Sequence, residues 1–340
     1  MTSRPHDALF KAAFEHPAHV AGLFHSLLPP SVSAAMCWDT LSRESGSYIS
    51  LDLEDRHSDL LFSVQLQGKP DTERALLYLL LEHQSTTDMD MPLRMYVYTA
   101  RILERYRREH DGPLPALIPM VVTHAPDGWT GPRSLIEMVA PPPSTIDGLA
   151  PLLPNIPLLI DDLSHLDNHD LKRRALAAFP TLALWALRDG RDPQRLLQNL
   201  GFWSETFLEA LQAPYGLHAL RQVFRYIALT TGDMPFEEFH ETIRRQIPAA
   251  EDTVMTIAEE LRQEGRKAGR EEGRKAGREE GREEGREEGR QEVLENLLRL
   301  KFGDCPAPFL NRIATATDEQ LAIYVERILR AETIAAVFVD

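Results

Sequence analysis

A chain of 340 residues, 43% of them hydrophobic, is long enough for about two domains with a sizeable core. Its formal net charge of −15 argues against non-specific binding of nucleic acid by the whole surface, but leaves room for a local basic groove. With only Cys37 and Cys305, a disulfide framework or a cysteine-rich zinc site is not expected, and a cytoplasmic location fits. No apolar run reaches the roughly 18 residues of a membrane-spanning helix, and His6, Asp7 and Lys11 do not resemble a secretory leader.

In chain order, residues 6–28 read as one helix, with Leu9, Phe10, Phe14, Val20, Leu23, Phe24 and Leu27 at helical spacing and Pro29-Pro30 ending it. Residues 43–53 look extended. Residues 57–67 and 74–84 read as two apolar strands joined by a turn at Gly68-Lys69-Pro70-Asp71. Residues 92–110 read as a helix, Ala116 to His124 as a buried strand, and Ile156 to Ile160 as one more. Helix, three strands, helix, strand implies an α/β fold with a mixed sheet flanked by helices.

From about residue 163 the texture turns helical, which predicts a mixed α/β core over 1–162 and an all-α lobe over 163–262. Residues 263–290 are a Gly-Arg-Glu repeat, with Gly265, 269, 273, 277, 281, 285 and 289 each followed by arginine. Pairs such as Glu279–Arg282 favour helix, while each glycine costs about 0.8–1 kcal/mol relative to alanine. The repeat reads as a charged, partly helical linker or as a small-residue ridge that pairs helices into a homo-oligomer through 264–290. Residues 291–340 read as a small helical module with one stripe at Leu294, Leu297, Leu298 and Leu300 and another at Ile323, Val325, Ile328 and Leu329.

The chemistry-bearing residues sit in the strand pair. Asp59 and Glu82 interrupt apolar runs, where a charge is costly without a partner. Asp59 lies about eight residues before the turn and Glu82 about nine after it, a near-matched register in a hairpin. Two carboxylates brought together repel unless a cation or proton lies between them. Magnesium takes such oxygen ligands and activates water at a phosphodiester. Gln84 has no basic group, so it can orient water by hydrogen bonding but cannot deprotonate it. Glu44, on the preceding extended segment, is a further candidate. The structural alternative places Asp59 and Glu82 in salt bridges with Arg56 or Arg94.

Arg94, Arg101, Arg105 and Arg108 fall within about 60° of one another on a helix and form a candidate stripe for DNA phosphates, or simply a solvated face. His83 and His124 end two strands and read as polar packing. His165 and His169, four apart, complete no zinc site.

His6-Asp7-Ala8-Leu9-Phe10-Lys11, Glu44-Ser45-Gly46-Ser47-Tyr48, Ser58-Asp59-Leu60-Leu61-Phe62 and Leu81-Glu82-His83-Gln84-Ser85 together resemble the recombination-promoting nuclease family of bacteria, also labelled transposases, within the PD-(D/E)xK superfamily. The resemblance runs over residues 4–260 and includes the repeat. The tail with Leu300-Lys301-Phe302-Gly303 resembles a small domain of unknown function often found at the end of such proteins. The resemblance implies a restriction-endonuclease-like core and magnesium-dependent DNA cleavage. Asp59 matches the central aspartate, Glu82 the acidic residue of the second half-motif and Glu44 an upstream acidic position. Gln84 stands where lysine is usual, and Ser58, not proline, precedes Asp59. The competing expectation is a non-catalytic interaction protein with a decayed core. A third is a toxin restrained by a small regulatory protein.

Overall fold

The computed structural model describes residues 5–44, 60–70, 74–82, 88–231 and 236–339. They form two compact units, residues 1–259 and residues 260–340.

The first unit is built on a five-stranded sheet in the order β1 (Met36–Arg43), β2 (Leu60–Leu66), β3 (Arg74–Glu82), β4 (Ala116–Thr123), β5 (Leu159–Asp162). Strand β2 runs antiparallel to both β1 and β3, and β4 and β5 run parallel to β3. The return to parallel pairing needs a crossover, supplied by α4 (Met91–Glu109) between β3 and β4. This is the predicted mixed α/β sheet.

The central strands are apolar on both sides, as buried strands must be. Leu60, Leu61, Phe62 and Val64 of β2 and Met120, Val121 and Val122 of β4 are all buried. Gly68 has φ +68, a backbone that favours glycine, as the chain leaves β2. Helix α4 lays Met91, Met95, Tyr98 and Ile102 over Leu61, Leu76 and Val121. That spacing of three to four keeps one face on the sheet, and each such side chain contributes about 1.5–3 kcal/mol by leaving water.

The sequence predicts an extended segment at 43–53, of which 45–53 fall outside the described residues, and the structure adds strand β1 at 36–43. The pairing of β1 with β2 is broken by a bulge between Cys37 and Ser42. Thr40 bridges the gap: its Oγ1 accepts from Gln65 N at 2.9 Å and donates to Cys37 O at 2.7 Å. The bulge erases the alternation by which a strand is recognised.

The expected helix at 6–28 is two, α1 (Pro5–Phe14) and α2 (Pro17–Leu27), followed by short α3 (Pro30–Ala34). Pro17 has no N–H to continue the first helix but suits the first turn of the second. The lobe consists of α5 (Asn168–Arg173), α6 (Ala178–Asp189), α7 (Pro193–Asn199), α8 (Ser204–Gln212), α9 (Gly216–Thr230) and α10 (Phe236–Gln246). Helix α6 is buried from Pro180 to Asp189, so its neighbours surround it. Trp185, Trp203, Phe207 and Phe224 join at centroid separations of 5.7 to 6.1 Å.

Helix α11 (Glu251–Phe302) carries the whole glycine repeat as continuous helix. In the second unit Leu294 and Leu298 pack with Ile313 of α12 (Ala307–Ala314), Leu321, Tyr324 and Ile328 of α13 (Asp318–Ile328), and Val337 of α14 (Ile334–Val337). Two expected stripes are therefore corrected. Leu300 is 84% exposed and Leu329 76%, while Ile323 and Val325 are also exposed. The inward face of α13 is 321, 324 and 328, a helical spacing that the richer apolar run at 321–329 concealed.

At each repeat glycine an added Cβ meets nothing within 4 Å. Gly281→Ala is therefore expected to stabilise the helix by about 1 kcal/mol, raising the helical circular-dichroism signal and the melting temperature of the protein.

Candidate active site at the strand ends

Strand β3 ends at Glu82, which pairs with Thr123, the last residue of β4; Thr123 pairs in turn with Asp162, the last residue of β5. Three neighbouring strands thus stop in one row. On the other side of β3, Leu60, the first described residue of β2, pairs with Leu79, and Leu61 with Tyr78. Directly opposed residues share a face, so odd positions of β2 share one with even positions of β3.

Of the residues singled out in the sequence, Asp59 and Gln84 lie outside the described residues, as does His83. Glu82 closes β3. Glu44 follows β1, half-buried, and its N–H donates to Leu61 O at 2.9 Å. Leu61 pairs with Tyr78, four residues short of Glu82, so at the strand rise Glu44 and Glu82 are offset by about 13 Å along the sheet. The pairing does not bring those two backbones together.

The expected arginine stripe is largely engaged by acids. Arg94 pairs with Asp88, Arg105 Nε with Glu109 at 2.9 Å and Arg108 Nη2 with Glu104 at 2.6 Å. Five arginines against two glutamates still leave residues 91–109 at +3 in a chain of −15.

Sequence reading passed over the two aspartates ending β5. Asp161 is buried and held bidentately by Arg174, at 2.8 and 2.6 Å. Asp162 accepts from Trp129 N at 2.7 Å and from Ser164 N and Oγ at 3.1 and 2.7 Å, with His165 Nε2 3.5 Å away. Both carboxylates are spent on fixing this end of the sheet. The signal was the Asp-Asp pair closing an apolar run. His165 belongs to this cluster, whereas His169 packs edge-on against Phe202 at 4.9 Å. Gly128, with φ +71, lies against the cluster; a Cβ there would stand 2.3 Å from His165 Nε2 and 2.8 Å from Asp162 Oδ2. Gly128→Ala is expected to cost about 1–3 kcal/mol in urea unfolding.

Directly after Thr123, His124 is buried and its ring lies 4.8 Å from that of His6 on α1. His6 Nδ1 is 2.9 Å from the hydroxyl of Tyr226 on α9. Tyr226 is buried, which pushes its phenol well above the ordinary value, opposed in part by the Arg191 charge. Asp7, beside His6, is also buried. Among the described residues no group of three or more histidines, cysteines, aspartates or glutamates is arranged to hold a metal ion. No helix among them is long and apolar enough to cross a membrane.

The family described as "Putative transposase, YhgA-like" matches residues 4–210. The recombination-promoting nuclease RpnA of Escherichia coli K12 is 29% identical over 270 residues, 78% of this chain and 86% of the relative. RpnD of Escherichia coli O157:H7 is 28% identical over 272 residues, 78% of this chain and 97% of the relative. A third relative from strain K12, named as the inactive recombination-promoting nuclease-like protein RpnE, is 26% identical over 279 residues, 79% of this chain and 85% of the relative. No solved structure matches the chain. With 207 consecutive residues matched, from the first helix through the sheet and into the helical lobe, the chain belongs to the YhgA-like transposase family.

Proposed function

We propose that this protein is a magnesium-dependent DNA endonuclease of the PD-(D/E)xK type, acting in recombination or on mobile elements in the cytoplasm. The observation that carries the reading is the β2–β3 register, supported by relatives named as recombination-promoting nucleases. The proposal requires that register to hold for one residue beyond Leu60. Position 59 would then oppose Leu80 and stand diagonal to Glu82, a backbone separation of about 7–8 Å. At that spacing two carboxylates can share one ion and otherwise repel.

The donor set fits a hard dication, since Asp59 and Glu82 offer only oxygen. When bound, magnesium would lower the pKa of a water and offset charge on the phosphate. Asp59 and Glu82 hold the ion in this reading. Gln84 orients the attacking water through its amide. Glu44, offset along the sheet, assists from outside the ligand pair. Arg101, with Arg94, Arg105 and Arg108, attracts the DNA backbone through the net positive charge of α4. Conversion of supercoiled plasmid to nicked or linear DNA, with magnesium and with a chelator, tests the activity; no difference between the two would refute metal dependence.

A second reading is a non-catalytic interaction protein, favoured by Gln84 at the usual lysine position and by the inactive relative. In either reading, self-association would use residues 264–290, and a small regulatory protein is a further partner of interest.

A further inference from the structure

Tyr226 belongs to the helical lobe and lies 220 residues from His6 in sequence, yet the two meet at 2.9 Å. Their meeting is tightly framed. The Tyr226 ring crosses Gly190 so closely that a Cβ there would lie 2.7 Å from Tyr226 Cε1 and 2.5 Å from Ala186 O. The His6 ring also lies against that of His124, tilted 43° with centroids 4.8 Å apart. His124 is one peptide bond past Thr123, and Thr123 is the β4 partner of Glu82. Helix α9, helix α1 and the ends of β4 and β3 are therefore connected in series through three side chains.

Burial holds the phenol protonated throughout the working range, so its O–H is available to donate. A neutral imidazole that accepts at Nδ1 must carry its proton on Nε2. We propose that Tyr226 is a positioning residue for the nuclease centre: its hydroxyl donates to His6 Nδ1, fixes His6 as the Nε2–H tautomer against His124, and so holds the strand ends where Glu82 sits. This inference rests on the nuclease reading. It makes the helical lobe part of the catalytic apparatus, though none of its residues need touch the substrate.

The test compares wild type with Tyr226→Phe, His6→Ala, the double variant and Asp59→Ala, each full length. Plasmid nicking, thermal melting and long-range 15N NMR of the imidazoles are read for each. Tyr226→Phe should lower kcat by about 10- to 100-fold, as loss of a supporting hydrogen bond typically does. KM for plasmid and the melting temperature should stay near wild type. The double variant should be no worse than His6→Ala, because both break the same link. His6 should show an accepting Nδ1 in wild type and a mixed tautomer in Tyr226→Phe. An unchanged kcat in Tyr226→Phe beside an inactive Asp59→Ala would overturn this inference alone. So would a proton found on His6 Nδ1, or a kcat loss matched by a lowered melting temperature. Equal nicking by Asp59→Ala and wild type would instead remove the nuclease reading and this inference with it.

Discussion

Asp189→Ala is expected to destabilise the first unit by about 3–5 kcal/mol, a large share of the about 5–15 kcal/mol that holds a typical protein folded. Asp189, the last residue of α6, is fully buried, as is the side chain of Arg188 beside it. The Arg188 Nε and Nη2 donate to its two oxygens, each at 2.7 Å. Arg195 Nε approaches Oδ1 at 3.0 Å and Asn199 Nδ2 donates to Oδ2 at 3.0 Å. Arg188 also donates to Leu166 O at 3.0 Å and to Asn168 Oδ1 at 2.5 Å, and Asn168 Nδ2 donates to Asn199 Oδ1 at 2.9 Å. The network ties the start of α5, the end of α6 and α7 into one corner.

Removing the carboxylate strands a buried guanidinium, and the loss of its partner outweighs the small cavity left behind. Arg188→Ala should cost less, because Asp189 keeps the Arg195 guanidinium and the Asn199 amide as partners. The double variant should cost clearly less than the sum of the two, because both changes break the same buried pair and no stranded guanidinium remains at position 188. Urea unfolding followed by tryptophan fluorescence reports this corner, since Trp185 lies on α6 and Trp203 follows α7. A loss below about 1 kcal/mol in Asp189→Ala would contradict the account.

Asp59→Ala and Glu82→Ala should each lower plasmid nicking by at least about 100-fold, equivalent to about 2.7 kcal/mol of transition-state stabilisation. In the proposed site neither side chain supports the lobe, so neither loss should be accompanied by its unfolding. Gln84→Lys, which supplies the lysine that the PD-(D/E)xK resemblance implies at this position, should retain or raise the rate, because an ammonium can donate to the phosphate. Equal nicking by wild type and both alanine variants would point to a contaminating nuclease.

The elements legible in the sequence are those whose burial is simple. Strand β3 and helix α4 fall within two residues of expectation because one is apolar throughout and the other has a single greasy face. The mixed sheet followed from their order. What stayed hidden depends on partners distant in the chain or on local exceptions. The Thr40 bridge inside the β1 bulge, Pro17 between α1 and α2, and the inward face of α13 are of the second kind. The contact of His6 with Tyr226 and the corner around Asp189 are of the first. Tyr226 and Asp189 are unremarkable in their own segments, and His6 stands in a recognisable motif whose partner, 220 residues away, only the fold supplies. For the site itself, the sequence supplied the acidic residues; the structure added the register that relates the two strands and the offset that separates Glu44 from Glu82.

The central claim is that two carboxylates share one hard dication at the end of the β2–β3 pair. Calorimetric titration of manganese, a magnesium substitute, into wild type, Asp59→Ala, Glu82→Ala and the double variant tests it without any nucleic acid. One ion per chain in wild type is expected, with affinity weakened at least about tenfold by either single change and little further by the double, as for two ligands of one ion. Unaltered stoichiometry and affinity across all four proteins would contradict it.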